Sequence, residues 1–168
     1  MTIHSGHPFP TPDDPVRRLR GRLGGTVSLW TAADDAERAG LTVTSWLVAG
    51  GEPGRVLALL DPDADLTELL VETGRGVVQL LSWSDRGLAD AFAGTAPAPG
   101  GPWRMAEWVE SGHGPRLAHA ATWALVGVET SVEVGWSRLV TCTLEEVVVG
   151  DDPELLVHRR GRYVPPGG

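Results

Sequence analysis

The stretch Gly40-Leu41-Thr42-Val43-Thr44-Ser45-Trp46 decides the fold of this chain, because it has the clearest strand pattern in the sequence. Its residues alternate with a period of two, which is typical of a β-strand with two different faces. The two sets are Leu41, Val43 and Ser45 on one face, and Thr42, Thr44 and Trp46 on the other. Hydroxyl groups beside glycine suit the cradling of a polar, phosphate-bearing molecule. A half-buried barrel strand, in which Thr is simply a good β-former, explains the same pattern.

The segments on either side of this stretch predict that it belongs to an antiparallel sheet. Residues 26–31 are rich in β-formers, and the polar segment 32–38 separates them from the stretch, so the two runs are expected to form a hairpin. Glycines and a proline at 50–54 then break the chain before the apolar run 56–60.

The remaining chain predicts further short strands and two or three peripheral helices. Asp14-Pro15 begins a helix over 15–23, Asp65 is expected to cap a helix over 66–72, and a capping sequence at 82–85 precedes a helix over 86–93. Strand-like runs occupy 76–81, 116–130, 136–149 and 155–157. Six or seven strands with few helices predict a mainly β fold, a barrel or a sandwich, in one domain.

The composition excludes several classes of protein. All 14 basic residues are arginines, so a Schiff-base or P-loop lysine is excluded, and the net charge of -8 argues against nucleic-acid binding. Cys142 is the single cysteine, which excludes an internal disulfide and a multi-cysteine metal site; we expect it to be a buried core thiol, and no metal site is predicted. No apolar run is long enough for a membrane span, and no signal pattern is seen, so a soluble cytoplasmic protein is expected. Residues 1–14 are expected to form a disordered or loosely packed arm.

Catalytic motifs are missing from the sequence, and no catalytic residue can be named. His113 in an exposed-looking loop could donate a proton, whereas His119 and His158 are expected to be edge or core histidines. Seven tryptophans exceed the need of a small core, and the rings of Trp46, Trp83 or Trp136 could stack on an aromatic cofactor. A bound cofactor that carries the reaction is therefore the favoured hypothesis.

The order of these pieces resembles the flavin reductase-like family of FMN-binding split barrels. The family's glycine and hydroxyl-rich strand correspond to residues 40–46, and its next segment and apolar strand to 52–60. Its Asn and Ser/Thr-containing loop correspond to Asp61 and Asp65-Leu66-Thr67, and its next strand and helix to 74–81 and 88–94. A loop at 114–117 and a tail at 156–163 also match, so the likeness covers about residues 17–164.

The resemblance implies a Greek-key split β-barrel over residues 15–164 that works as a homodimer, with FMN, or FAD, reduced by NAD(P)H and passed on to a partner monooxygenase. Carried over by position, the flavin-binding residues would be Thr42, Thr44, Ser45, Trp46, Asp61, Asp65 and Gln79. Because carboxylates repel a phosphate, Asp61 and Asp65 would have to face the ribityl hydroxyls or the ring edge. With no lysine available, Arg55, Arg75 or Arg86 could balance the phosphate charge.

One departure from the family pattern leaves the activity open. Many members carry Gly-Asp-His near the nicotinamide site, where this chain reads Gly135-Trp136-Ser137. Hydride transfer needs stacking and orientation rather than a protein proton donor, so an NAD(P)H-dependent reductase remains the leading hypothesis. A flavin-carrying barrel without reductase turnover, or a barrel for another ligand such as haem or a deazaflavin, are the alternatives.

Overall fold

The structure is a computed structural model that describes residues 14–167. The predicted arm falls almost entirely on residues 1–13, which lie outside the described residues. The helices are α1 (Pro15–Leu23), α2 (Asp65–Thr73) and α3 (Arg86–Ala93). The strands are β1 (Gly25–Thr26), β2 (Ser28–Ala33), β3 (Arg38–Val43), β4 (Trp46–Ala49), β5 (Arg55–Leu60), β6 (Arg75–Leu80), β7 (Trp108–Ser111), β8 (Gly114–Leu117), β9 (Trp123–Val134), β10 (Ser137–Val148), β11 (Val157–Arg159) and β12 (Arg162–Val164).

Seven strands form one antiparallel sheet in the order β3-β2-β6-β9-β10-β5-β4. Its two edge strands, β3 and β4, follow each other in the chain and are joined by only Thr44 and Ser45. A two-residue link between opposite edges forces the sheet to curl until those edges meet. This confirms the mainly β fold that the sequence predicts and the split barrel that the resemblance implies. Two small sheets, β1-β11-β12 and β7-β8, lie beside it.

The central stretch is therefore two strands rather than one, which corrects the prediction. β3 ends at Val43, and β4 begins at Trp46, which pairs with Ala58 instead of continuing along β2. The chain changes partner because the carbonyl oxygen of Ser45 accepts a hydrogen bond from Leu59 N at 2.9 Å. The run 116–130 is likewise two strands, β8 and the start of β9.

Two cores hold the barrel together, one on each face of the curled sheet. The first core contains Trp30, Leu60, Val126 and Val140 from the strands and Leu66, Leu69 and Leu70 from α2. The second core lies under α3 and contains Leu29, Leu81, Leu88, Phe92, Leu117 and Leu156. Gly40 is required here, because a Cβ at this position would lie 2.7 Å from the Phe92 ring. The glycine that opens the deciding stretch thus lets α3 pack onto β3.

The helix caps explain where the helices begin. Asp14 accepts a hydrogen bond from Val16 N at 3.0 Å, which confirms the predicted start of α1. Ser82 and Asp85 form the predicted capping box ahead of α3. The prediction for α2 was wrong: Asp65 is its first residue, and the N-cap is Ala64, which has no side chain able to accept a hydrogen bond. No helix within residues 14–167 has the length and apolarity to span a bilayer.

Candidate functional site

The link between β3 and β4 and the first turn of α2 form the candidate site. Leu59, hydrogen-bonded to Ser45, is two residues before Asp61, so the loop that leads into α2 starts beside this link. α2 packs against β2, β3 and β6, and its last turn lies over Gly76, where Leu70 approaches. The opposite end of α2, its N-terminus, therefore points toward the Thr44–Ser45 end of β3. Thr44, Ser45 and Trp46 therefore lie near the start of the loop that contains Asp61 and leads to Asp65.

Three hydroxyl groups at this site have no hydrogen-bond partner among the described residues. Thr44 and Ser45 are half-buried, and within residues 14–167 neither side-chain oxygen takes part in a hydrogen bond. Thr67 is 3% exposed, and its Oγ1 is the buried side-chain polar atom that lacks a partner within residues 14–167. Buried polar atoms in folded proteins are normally satisfied, and an orphan at a helix N-terminus indicates a missing ligand or water.

Thr67 was quoted in the family loop, but the sequence analysis did not select it as a site residue. It occupies the third position of α2, where the helix N-terminus also leaves backbone N–H groups without intrahelical partners. The signal that could have found it is the uncapped helix start: Ala64 offers no capping oxygen, so an external acceptor is needed.

Two of the predicted residues lie on the opposite face of the sheet. The Thr42 hydroxyl donates to the carbonyl oxygen of Ala89 in α3 at 2.7 Å. Gln79 is fully buried; its Oε1 accepts from Leu117 N at 2.6 Å, and its Nε2 lies 3.4 Å from Thr31 Oγ1. Both side chains tie the sheet to the second core, so a direct contact of either with a flavin remains a prediction that this arrangement does not favour.

The tryptophans suggested for stacking have different environments. The half-buried Trp46 donates its Nε1–H to the carbonyl oxygen of Thr26 at 2.9 Å, which fixes its ring beside the link. The face of Trp83 is covered by the Arg86 guanidinium at 3.8 Å. Trp136, at the tip of the β9–β10 hairpin, is 52% exposed. Of the three, Trp46 is the ring built into the site.

The cations suggested for a phosphate are placed elsewhere. Arg55 forms an ion pair with Glu129 at 2.9 Å, and hydrogen bonds from Arg55 and Thr143 lower the pKa of the Glu129 carboxyl. Arg86 is held on Trp83, and Arg75 follows the far end of α2. The register of β5 and β10 instead puts Arg138 opposite Leu60, one residue before Asp61. Arg138, whose Nε donates to Ser131 Oγ at 2.7 Å, is the guanidinium that the sequence analysis missed.

Two of the histidines contact carboxylates away from this site. His113 Nε2 lies 2.5 Å from Glu145 Oε2, and His119 Nε2 lies 2.8 Å from Asp85 Oδ1. The second pair lines a separate cavity of about 170 Å³ with Asp152 and Glu154. His113 therefore serves to hold the β7–β8 turn against β10, and its use as a proton donor remains a prediction.

A flavin fits the residues at the site in part. Free hydroxyls at Thr44, Ser45 and Thr67 suit the ribityl chain and a phosphate oxygen, and Trp46 offers an aromatic wall. Residues 56–74 contain five carboxylates and no basic side chain, so the charged side chains of this segment would repel a phosphate. Arg138 beside the loop is the opposing charge that this chain supplies.

The sequence matches a known family and a known protein over most of its length. The family model described as "Flavin reductase like domain" matches residues 20–167. The FMN reductase (NADH) RutF of Stutzerimonas stutzeri is 26% identical over 148 residues, which are 88% of this chain and 84% of that protein.

Solved structures share the fold. The flavin reductase PheA2 in its native state superposes with a TM-score of 0.83 at 20% identity, covering 94% of this chain and 100% of that chain. BorF, the flavin reductase component of a bacterial two-component tryptophan halogenase, gives 0.77 at 20% identity, covering 89% and 97%. With most of its length matched by the family model, the chain belongs to the flavin reductase-like family.

Proposed function

We propose that this protein is a flavin reductase that passes a hydride from NAD(P)H to FMN. The observation that carries the proposal is the set of hydroxyls at Thr44, Ser45 and Thr67, unpartnered among the described residues, around an uncapped helix N-terminus. The family resemblance implies flavin contacts at Thr44 and Ser45. A flavin bound there would supply the two-electron chemistry that the chain lacks. Thr67 and the first turn of α2 would bind its phosphate with Arg138, and Trp46 would orient its ring.

A visible spectrum of the purified protein, before and after FMN is added and the excess removed, is the first test. Anaerobic mixing of the flavin-loaded protein with NADH and then with NADPH should bleach the flavin band and identify the preferred donor. If FMN is not retained, steady-state oxidation of NADH with free FMN is measured. Turnover in this assay would identify a reductase that uses flavin as a diffusing substrate. If the folded protein neither retains FMN nor oxidises NADH in its presence, the proposal is refuted.

A flavin-carrying barrel without reductase turnover is the second candidate. Trp136 and Ser137 occupy the hairpin positions at which many family members have Asp-His, and this observation favours it. Retained flavin that stays oxidised with both nicotinamide donors would establish the carrier and exclude the reductase.

We also propose that the protein works as a homodimer and hands its reduced flavin to an oxygenase. On the outer face of β4, β5, β9 and β10 lies an apolar group of side chains, next to the Arg55–Glu129 ion pair and Thr143. Its members are Leu47, Leu57, Leu59, Val132, Val134 and Leu139. An apolar sheet face of this size on one chain is typical of a protein interface. That BorF is named the reductase component of a two-component halogenase supports the proposed oxygenase partner.

A further inference from the structure

Half of the arginines of this chain lie on one surface, because the pairing of β1 with β11 brings α1 beside the β11–β12 hairpin. All of these arginines are exposed, and neither α1 nor the hairpin contains an acidic residue. The remaining chain has the other seven arginines and all 22 carboxylates. We call this surface the arginine patch; its members are Arg17, Arg18, Arg20 and Arg22 of α1 and Arg159, Arg160 and Arg162 of the hairpin.

The arginine patch has no ionic partner within residues 14–167. None of its seven guanidinium groups forms a hydrogen bond, an ion pair or a ring contact there. Elsewhere, Arg55 is paired with Glu129, and Arg38, Arg86 and Arg116 stack on tryptophan rings. A dense group of unpaired cations on one surface attracts an anionic partner from outside the chain.

α1 also turns an apolar stripe away from the body of the protein. Val16, Leu19 and Leu23 lie on one face of the helix and are 72%, 65% and 76% exposed. The face that carries Gly21 is packed: a Cβ there would lie 4.0 Å from Arg160 Cα, and Arg160 N donates to the Gly21 carbonyl oxygen at 3.0 Å. With about 3.6 residues per turn, Gly21 lies roughly 200° around the axis from Leu19 and from Leu23. The stripe is therefore held in an outward direction.

Arginines border this stripe on both sides. The helical period places Arg20 at one side of it and Arg22 at the other. The guanidinium groups stand on apolar stems, which allows them to reach a polar layer while the stripe enters an apolar one. A basic helix with an exposed apolar face is typical of segments that lie in the interface of a membrane.

The chemistry of α1 fits an anionic lipid surface better than a protein partner. Protein interfaces combine donors with acceptors, whereas this helix contains only Pro, Val, Leu, Gly and Arg, so its polar side chains are donors alone. Lipid phosphates are acceptors that a guanidinium binds in bidentate geometry. A fluid bilayer also adapts to a convex helix and needs no preformed groove. The hairpin arginines add to the positive potential of the same surface.

We propose that α1 and the arginine patch bind this protein to the surface of a bilayer that contains anionic phospholipids. Val16, Leu19 and Leu23 enter the boundary between headgroups and acyl chains, and the arginines contact lipid phosphates. α1 lies in the plane of the membrane and does not cross it, and binding is reversible because three apolar side chains bury little area. Such binding requires neither flavin nor turnover, so its tests are independent of the proposed function.

Co-sedimentation of the full chain with vesicles is the first test. Vesicles of phosphatidylcholine alone are compared with vesicles in which about a third of the lipid is phosphatidylglycerol. We expect at least about tenfold tighter binding to the anionic vesicles, and loss of most of this binding between roughly 0.1 M and 1 M NaCl, because exposed charges are screened. Equal binding to both kinds of vesicle, or binding to neither, would overturn the proposal.

A pair of serine substitutions tests the apolar stripe without changing the charge. Leu19→Ser with Leu23→Ser should weaken binding to the anionic vesicles at least about tenfold, since two buried apolar side chains are lost. Val149→Ser is the control, because Val149 is as exposed as Leu23, at 78% against 76%, and lies outside α1. If the serine pair bound as the wild-type protein does, the patch would be a site for any polyanion, such as an acidic protein, and the lipid proposal would fail.

The arginines are tested in the same assay. Arg20→Gln with Arg22→Gln should weaken binding to the anionic vesicles, whereas Arg104→Gln, which removes an exposed guanidinium outside the patch, should not. Equal effects of these changes would show that net charge, and not the patch, governs binding. Sedimentation velocity of the serine pair covers the remaining occupant: if that variant alone turned a dimer into a monomer, the stripe would be a contact between two copies and the proposal would be overturned.

Insertion of the stripe can be observed directly. Cys142 is 0% exposed, so a thiol-reactive, environment-sensitive fluorophore will label Leu19→Cys at the introduced position. We expect its emission to shift to the blue when anionic vesicles are added, and the same label on Val149→Cys to stay unchanged. Binding to the vesicles without this shift at position 19 would show that α1 does not enter the membrane and would overturn the proposal.

Discussion

Thr67 has the buried side-chain oxygen whose hydrogen bonding the described residues leave unsatisfied. Its hydroxyl is buried without a hydrogen-bond partner among residues 14–167, so it costs desolvation free energy that a ligand could recover. We expect Thr67→Val to leave the free energy of unfolding unchanged or raise it by up to about 1 kcal/mol. The same change should weaken flavin binding by about three- to tenfold, the loss of one hydrogen bond. Chemical denaturation and a fluorescence titration with FMN measure the two effects.

Thr73 provides the matched control in the same helix. Its hydroxyl donates to the carbonyl oxygen of Leu69 at 2.9 Å, so Thr73→Val should lower stability by about 1 kcal/mol and leave flavin affinity unchanged. If the two variants lost stability equally and bound flavin equally, Thr67 would have no ligand-binding role.

Arg138 is the residue expected to offset the repulsion between a bound phosphate and the five carboxylates of residues 61–72. Replacing it with Gln keeps a donor for Ser131 but removes the charge opposite Leu60 and next to Asp61. We expect Arg138→Gln to weaken FMN binding roughly tenfold and riboflavin binding much less, because only FMN carries a phosphate. Parallel titrations with the two flavins make this comparison. Equal losses for both would show that Arg138 does not act on the phosphate.

Cys142 has a purely structural role, and its ionisation makes a testable contribution to stability. Burial raises the pKa of this thiol to about 12 from the ordinary value of 9.0. Because the folded-state pKa is the higher one, the stability linked to this group is fully present below pH 9 and is lost as the pH rises toward 12.

We therefore expect the free energy of unfolding to fall between pH 9 and 12, and Cys142→Ala to remove up to roughly 1.4 kcal/mol per pH unit of that slope. Urea unfolding at several pH values gives the slope for both proteins. Parallel curves for the variant and the wild-type protein would refute this assignment, whatever stability the smaller side chain costs.

At the scale of elements, period and capping predicted most of the fold. Alternation identified β3, composition rich in β-formers or apolar residues identified β2 and β5, and Asp14 and Ser82 marked helix starts that the structure confirms. The break at Thr44–Ser45 was not predictable, because alternation continues unchanged through residues at which the chain leaves one strand partner for another. The two-residue alternation also does not indicate which face of the sheet α3 covers. Thr42 and Gln79 were therefore predicted to lie at the same site as the hydroxyls of Thr44 and Ser45.

The contact between β1 and the link belongs to this scale, since it joins two small elements at the candidate site. Gly25→Ala would push a methyl group against the Thr44 carbonyl oxygen, a backbone atom that cannot rotate away. We expect a loss of about 1–3 kcal/mol in chemical denaturation, and weaker flavin binding as Thr44 shifts. Gly50→Ala, where no atom lies within 4 Å of the added methyl group, should change neither. If Gly25→Ala and Gly50→Ala had equal free energies of unfolding, β1 would be able to shift away from Thr44 without loss of stability.

At the scale of the whole molecule, charge and apolar area are distributed as though the chain had a partner. The sequence shows arginines gathered toward its two ends, but only the pairing of β1 with β11 brings those ends together as one patch. Five carboxylates on α2 and the loop before it lie near the predicted phosphate position, where a second copy in the proposed homodimer could add opposite charge. Such a site could not be read from one sequence, because half of its electrostatics would come from another molecule.

A site completed by a second copy should lose affinity when the dimer is taken apart without touching the site. Leu47, on the outer face of β4, is 74% exposed, so Leu47→Asp should leave the folding of the single chain intact while it charges the proposed apolar interface. We expect this variant to sediment as a monomer and to bind FMN at least about tenfold more weakly. Dilution of the wild-type protein below its dimer dissociation constant should weaken binding in the same way. A Leu47→Asp monomer that binds FMN as tightly as the wild-type dimer would show that one chain forms the whole site, with Arg138 as its sufficient cation.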